Sequence, residues 1–281
     1  MKVFITRPIL EKGIDMLKAK GYDVVVNQAA ADRPATEGEI LSGVRGVDAL
    51  LSILTEKITP KIIEIGLPTL KVIANFAVGF DNIDVACAKE HNVMVTNSPS
   101  EEVNDAVAEH TFALILALAR RIVDTDRLVI HHKYHAWGPS LWLGTSLKGK
   151  TLGIVGPGRI GSSVGKHAES FGMKVLYCGP GDSIDEFLPQ CDFVSIHVSL
   201  LDTTRHMINE DRLKKMKPTA YLINTARGSI VDENALVRAL QEKLIKGAGL
   251  DVFEHEPKVH PDLLKMENVV LTPHTASATI E

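Results

Sequence analysis

Short apolar runs alternate with amphipathic stretches along almost the whole chain. KVFIT (2–6), YDVVVN (22–27), VDALLSI (47–53), LKVIANFA (70–77) and VMVTN (93–97) are rich in β-branched and apolar residues and predict strands. Between them, residues 8–20, closed by Gly21, and the segments TEGEILSGV, PKIIEIG and IDVACAKEHN predict helices. Thr36 with Glu39 three residues on is a capping-box pattern. Near-continuous apolar strands separated by helices predict a parallel sheet covered on both faces. Residues 1–100 are therefore expected to form one small, flavodoxin-like α/β domain.

A long helix is expected to begin between Ser98 and Asn104 and run to about Arg121. Its most apolar run, FALILALA (112–119), is far short of the ~20 residues that a membrane span needs and reads as a buried helix. Residues 131–148 hold both tryptophans, Trp137 and Trp142, among Gly138, Pro139 and Gly144, and show no sustained period. A stretch of that kind predicts an interaction arm over 122–148. His131 and His135 have metal-ligand spacing, but no nearby cysteine or acidic partner completes a set, and no metal is expected. From Thr151 a second α/β series is expected, with strands at 151–156, 174–179, 192–198, 220–226, 248–253 and 268–274. The second domain thus spans 101–281.

Composition narrows the function. The chain has 281 residues, 45% hydrophobic, and a formal charge of -4, so it can bury a large core and carries no basic footprint for nucleic acid. The one dense basic stretch, RLKKMKP from Arg212, reads as a solvated helix face. Three cysteines (Cys87, Cys178, Cys191) without a CxxC argue against a disulfide framework and fit a reducing cytosol. Residues 1–10 lack a signal-peptide layout. A cytoplasmic protein without nucleic-acid or membrane partners is expected.

TLGIVGPGRIG (151–161) places a GxGxxG pattern after a predicted strand and before a helix, the context in which that pattern signals dinucleotide binding. Gly156 allows the tight turn, Gly158 lets backbone approach a pyrophosphate, and Gly161 permits close helix–strand packing. The N–H groups at the helix start would face the phosphates. Arg227, Glu256 and His274 each follow a later strand, where open α/β sheets place their ligands. Each alone is an ordinary loop residue. A cation, a carboxylate and an imidazole together behind a dinucleotide turn point instead to reduction of a small 2-oxo acid. Arg227 can hold a carboxylate and a carbonyl oxygen through its planar fork of donors. His274 can donate the proton, since an imidazole titrates near ~6.5. Glu256 would orient that ring and stabilise its charged form.

The segments AVGFDNID (77–84), VAEHTFALILALAR (107–120), VGPGRIG, INTARGSIVDENAL, GLDVFEHEP and ENVVLTPH resemble the D-isomer-specific 2-hydroxyacid dehydrogenase family, most closely its glyoxylate/hydroxypyruvate reductase branch. The resemblance implies two Rossmann/flavodoxin-like doubly wound parallel-sheet domains with the active site in the cleft between them. It implies substrate binding by the first domain and NAD(P) binding by the second. The catalytic residues then fall on Arg227, Glu256 and His274. Cofactor contacts fall on Gly156, Pro157, Gly158, Arg159, Ile160, Gly161, Gly179, Thr225, Ala226, Arg227, Asp251, His274 and Ala276, with Asp251 supporting the nicotinamide. Substrate contacts fall on Leu54, the backbone amides of Val78 and Gly79, Arg227 and His274. WGPSLWLG resembles the branch's dimer arm, which implies a homodimer.

Three features depart from the family pattern. Gly179 stands where an acidic residue would take the adenosine ribose, with Asp182 three residues later and no arginine or lysine to accept a 2′-phosphate. NAD is favoured on Asp182 alone, and NADP stays open. The segment around Gly181–Ser183 is shortened, which predicts loss of a third strand and its helix on the adenine side. At Glu281 the family pattern would begin a helix returning to the first domain, and none is expected here. Loss of that edge and that helix leaves a nucleotide-sensing or corepressor-like binding protein of the same fold as the alternative.

Overall fold

Five parallel strands build the sheet of the first unit, Met1–Ser100; the computed structural model describes residues 1–280, and the second unit is Glu101–Glu281. In the first unit β1 (Lys2–Ile5), β2 (Asp23–Val26), β3 (Ala49–Ile53), β4 (Val72–Phe76) and β5 (Met94–Thr96) lie in the order β2-β1-β3-β4-β5. That is the flavodoxin-like order. Helices α1 (Glu11–Ala19), α2 (Glu37–Gly43), α3 (Pro60–Gly66) and α4 (Val85–Glu90) connect them. Each expected strand forms, trimmed at its ends. The first helix begins at Glu11 rather than at Pro8, because Leu10 is extended. Thr36 and Glu39 form both hydrogen bonds of the capping box that starts α2. Ile40, Val44, Leu50, Ile62, Ile63 and Ile73 fill the core between α2, α3 and the sheet.

The second unit opens with α5 (Glu101–Arg120), whose Phe112, Leu114, Ile115 and Leu118 are buried against sheet residues Leu152, Ile154, Phe193 and Ile223. This explains the long apolar run: one face of α5 lies on a sheet. Arg121 then adopts a left-handed conformation (φ 56°) and a second helix, α6 (Ile122–Ile130), follows. The expected arm is therefore helical over its first third, while 131–148 is irregular. The remaining elements are β6 (Thr151–Val155), α7 (Arg159–Ser170), β7 (Lys174–Cys178), α8 (Ile184–Phe187), β8 (Phe193–Ile196), α9 (Glu210–Lys215), β9 (Tyr221–Asn224), α10 (Glu233–Gln241), β10 (Gly247–Leu250) and β11 (Val269–Leu271). The sheet runs β11-β10-β9-β8-β6-β7, all parallel. β7 is its edge, and only the single-turn α8 and a 3-10 turn separate β7 from β8. Beyond β7 the sheet has no further strand among the described residues, which agrees with the shortened segment in the sequence.

β9, β10 and β11 are adjacent, so the loops after their carboxyl ends are neighbours. The loop after β9 lies hard against the loop after β10: a Cβ built on Gly228 would collide with the Phe253 carbonyl group. Only a residue without a side chain allows that approach. We predict that Gly228→Ala forces the two loops apart and lowers stability by about 1–3 kcal/mol, the usual cost of overpacking. Urea denaturation would show a lower midpoint; a midpoint equal to wild type would refute the contact.

Candidate active site

The turn between β6 and α7 is shaped to receive an anion. Gly156 has φ 96°, and a Cβ there would meet the His197 carbonyl carbon at 2.8 Å. A Cβ on Gly161 would run into the Gly156 carbonyl oxygen, so α7 packs directly on the turn. Gly158 is the N-cap of α7, no side chain caps the helix, and a Cβ at Gly158 would meet no atom within 4 Å. The helix start, with Pro157 before it and Arg159 and Ile160 in its first turn, therefore offers N–H groups to open space, which fits a dinucleotide pyrophosphate. His197, below the turn, shares a 2.8 Å hydrogen bond with Ser195 Oγ, and burial lowers its pKa to about 4. It stays neutral at physiological pH. At the end of β7, Asp182 Oδ2 accepts the Gly179 N–H at 2.7 Å, which places a carboxylate beside Gly179 after all.

Arg227 follows β9 in an extended conformation and opens the 3-10 turn Gly228–Ile230. Asn224 holds this turn from both sides: its Nδ2 donates to the Arg227 carbonyl at 2.9 Å and its Oδ1 accepts the Ala226 N–H at 3.0 Å. Thr225 Oγ1 pairs with Thr111 Oγ1 of α5 at 2.9 Å, tying the strand end to the helix beneath it. After β10, Asp251 is fully buried. Its Oδ1 accepts Thr272 Oγ1 at 2.6 Å and the Thr275 N–H at 2.9 Å, and its Oδ2 accepts the Ala276 N–H at 2.8 Å. The resemblance assigns Asp251 to the nicotinamide; in the structure its carboxylate secures the loop that carries His274.

His274 itself has φ 55°, and its N–H donates to the Asp251 carbonyl at 2.8 Å. Its Nδ1 lies 2.8 Å from Glu256 Oε2, and Glu256 Oε1 accepts the Phe253 N–H at 2.9 Å. The carboxylate is thus anchored on its own loop and holds the Nδ1 side of the imidazole. The ring is about a quarter exposed, enough for a small reactant to reach it.

Sequence reasoning missed the residues that support this group from behind. His110 of α5 places Nε2 2.9 Å from Thr272 Oγ1 and 3.5 Å from Asp251 Oδ1. His206 pairs with Glu254 at 2.5 Å, while its N–H donates to the Ser229 carbonyl at 2.8 Å, so it bridges the loops that carry Arg227 and Glu256. Glu254 also exchanges hydrogen bonds with Glu233 at the start of α10. His110, Asn224 and Thr272 lie inside the segments already singled out, but spacing alone gives no sign of what they hold.

In the first unit, the loop after β4 is pinned by asparagines. Asn97 Nδ2 donates to the Val78 carbonyl at 2.7 Å and Asn75 Nδ2 to the Gly79 carbonyl at 2.8 Å. The Val78 and Gly79 N–H groups donate to no described residue. Asn82 joins Asn75 and reaches the carbonyls of Ile53 and Glu56, fixing the turn that contains Leu54. The structure also brings Arg7 to this turn, 3.5 Å from Thr55 Oγ1, where its charge faces the buried carboxylate of Glu56 at 4.0 Å.

Known proteins share this architecture. The D-isomer specific 2-hydroxyacid dehydrogenase NAD-binding domain matches residues 112–276. A glyoxylate reductase of Thermococcus litoralis is 47% identical over 297 residues, covering 100% of this chain and 88% of that protein. Among solved structures, a glyoxylate reductase from Paecilomyes thermophila is 29% identical with a TM-score of 0.87, covering 100% of this chain and 90% of that one. A D-lactate dehydrogenase from Aquifex aeolicus, in complex with NAD and lactic acid, is 32% identical with a TM-score of 0.83, again covering 100% and 90%. These relatives favour turnover over nucleotide sensing. By family match and by likeness along its whole length, this chain belongs to the D-isomer specific 2-hydroxyacid dehydrogenases and is an NAD(P)-dependent oxidoreductase.

Proposed function

We propose that the protein reduces a short unphosphorylated 2-oxo acid, glyoxylate or hydroxypyruvate, to the corresponding D-2-hydroxy acid. The observation that carries this reading is the 2.8 Å contact between His274 Nδ1 and Glu256 Oε2 beside the Arg227 turn. A nicotinamide cofactor, when bound, supplies the hydride. The chain's own residues supply the rest. Arg227 orients the substrate carboxylate and stabilises charge building on the carbonyl oxygen. His274 delivers the proton from Nε2 while Glu256 holds Nδ1. In the first domain, the N–H groups of Val78 and Gly79 and the turn that contains Leu54 are the further substrate contacts that the family resemblance implies. Gly156 to Gly161, Gly179, Thr225, Ala226 and Ala276 hold the cofactor, and Asp182 favours NADH because its charge opposes a 2′-phosphate. The domain at 1–100 is the substrate domain and that at 101–281 the nucleotide domain, in a cytoplasmic enzyme. Among the described residues no helix is long and apolar enough to cross a membrane.

The segment at 122–148 is proposed as a dimer arm. Trp137 is 80% exposed, with Leu141 and Leu143 also facing outward, and Trp142 lies beneath the Arg121 guanidinium at 4.9 Å. Such a run of apolar side chains suits the centre of an interface between two copies.

For the chemistry, His274→Ala and Arg227→Ala are each expected to lower kcat for glyoxylate reduction by ~10²–10⁴ while NADH still binds. Glu256→Gln is expected to keep part of the activity, since an amide still accepts the Nδ1 hydrogen. Steady-state rates with fluorescence-detected NADH binding check this, and wild-type turnover in His274→Ala would overturn the mechanism. For the substrate, the cation that the fold brings to the Leu54 turn, Arg7, already faces Glu56. Turnover of 3-phosphohydroxypyruvate is therefore expected to be slower than that of glyoxylate or hydroxypyruvate, and kcat/KM higher with NADH than with NADPH. The opposite order in either comparison refutes that part. For the assembly, sedimentation is expected to give a dimer of the 30.6 kDa chain. Trp137→Ala should shift it towards monomer; a wild-type monomer at micromolar concentration would remove the arm from this role.

A further inference from the structure

The first unit carries a group of side chains that the reaction does not use. Cys87 and His91 stand four residues apart at the end of α4, a spacing that puts two side chains on one helix face. Glu64 comes from the last turn of α3. One ligand atom from each of Glu64, Cys87 and His91 lies within 4.8 Å of the others. We propose that these three residues form a binding site for a divalent transition-metal ion of the zinc type.

The donor set selects the metal. Calcium and magnesium take oxygen ligands, whereas a thiolate with an imidazole suits zinc and its neighbours. Metal–ligand distances of ~2.0–2.3 Å in a tetrahedron put donors about 3.5 Å apart, so the group closes around an ion with a movement of about 1 Å. Glu64 and His91 are exposed and have the rotamer freedom for it, while Cys87 is buried and supplies the fixed point. The backbone beneath the ligands is already held: Asp84 Oδ1 accepts the Cys87 N–H at 2.8 Å, and the His91 N–H donates to the Cys87 carbonyl at 3.2 Å. Among the described residues, the side chains of Glu64, Cys87 and His91 form no hydrogen bond or ion pair that a metal would have to break. Binding converts the Cys87 thiol to a metal-bound thiolate and releases its proton to solvent, with no change of oxidation state. Water fills the fourth position. The ion would tie α3 to α4 and stabilise the folded unit by linkage.

Cobalt(II) added to the tag-free full-length protein tests this, because a cysteine thiolate bound to cobalt gives a charge-transfer band in the near ultraviolet that histidine or carboxylate ligation alone does not. One equivalent of cobalt is expected to produce the band, and zinc to abolish it. Cys87→Ser should remove the band, and Cys178→Ser and Cys191→Ser should keep it. His91→Ala and Glu64→Gln, both at exposed positions that leave folding intact, should each weaken zinc binding by ~10-fold or more in competition with a chromophoric chelator. Zinc should raise the thermal midpoint of wild type and not that of Cys87→Ser. Absence of the band in wild type, its survival in Cys87→Ser, or unchanged zinc affinity in both His91→Ala and Glu64→Gln would each overturn the proposal.

Discussion

The loop that carries His274 hangs on one buried carboxylate. Asp251 has no solvent exposure, and a carboxylate in that position costs several kcal/mol unless donors replace its water. Thr272, Thr275 and Ala276 supply three short hydrogen bonds and so account for both of its oxygens. The exchange works in the other direction too, because the loop at 272–276 has no regular structure to satisfy its own N–H groups. His274 sits inside this span with φ 55°, a conformation that costs a non-glycine residue ~1 kcal/mol or more. The bonds on either side of it, and its own N–H to the Asp251 carbonyl, hold the imidazole in place against that cost. Without Asp251 the loop would have three orphaned donors and no reason to present the ring to Glu256.

The sheet does the rest of the positioning. Leu250 of β10 is in register with Asn224 of β9 and Leu271 of β11, so the chain leaves three adjacent parallel strands at one level. Neighbouring strands are ~4.8 Å apart, which brings side chains from the three loops beyond them within reach of one another. Fine adjustment comes from contacts between loops: Gly228 lets the Arg227 turn touch Phe253, and His206 reaches from a fourth loop to both. A cation, a carboxylate and an imidazole that lie far apart in sequence thereby leave the sheet at one edge.

Much of this was legible in the sequence because it rests on periodicity and short motifs. The apolar runs marked the strands, Thr36–Glu39 marked a helix start that forms both capping bonds, and GPGRIG lay where strand gives way to helix. The shortened stretch after Gly179 correctly predicted that β7 would be the sheet edge. What escaped depends on pairings between distant residues or on backbone angles with no side-chain signature. Arg121 and His274 are left-handed without being glycine, so neither the break before α6 nor the pose of the imidazole could be read from composition. Helix α6 itself has no buried residue, which removes the core-facing stripe that reveals a helix. The amide pair of Asn75 and Asn82, and the meeting of Glu64 with Cys87 and His91, exist only once the loops and helices are folded. A search for metal spacing among neighbouring residues passes over a site whose third ligand comes from another helix.

The two ends of the nucleotide domain carry different burdens as a result. The proposed catalytic side chains all follow β9, β10 and β11, at one side of the sheet. The other side ends at β7, which is followed by the Gly179–Asp182 turn. Contacts to the adenosine half of a dinucleotide are the same before and during hydride transfer, so they contribute uniform binding and leave the barrier of the bound complex unchanged. A short edge there bears on how tightly cofactor is held, and hence on KM for it, while in the proposed mechanism kcat depends on Arg227, Glu256 and His274. A short β7 edge is therefore compatible with the proposed reaction, whereas shortening the opposite edge, after which His274 follows, would remove its proposed proton donor.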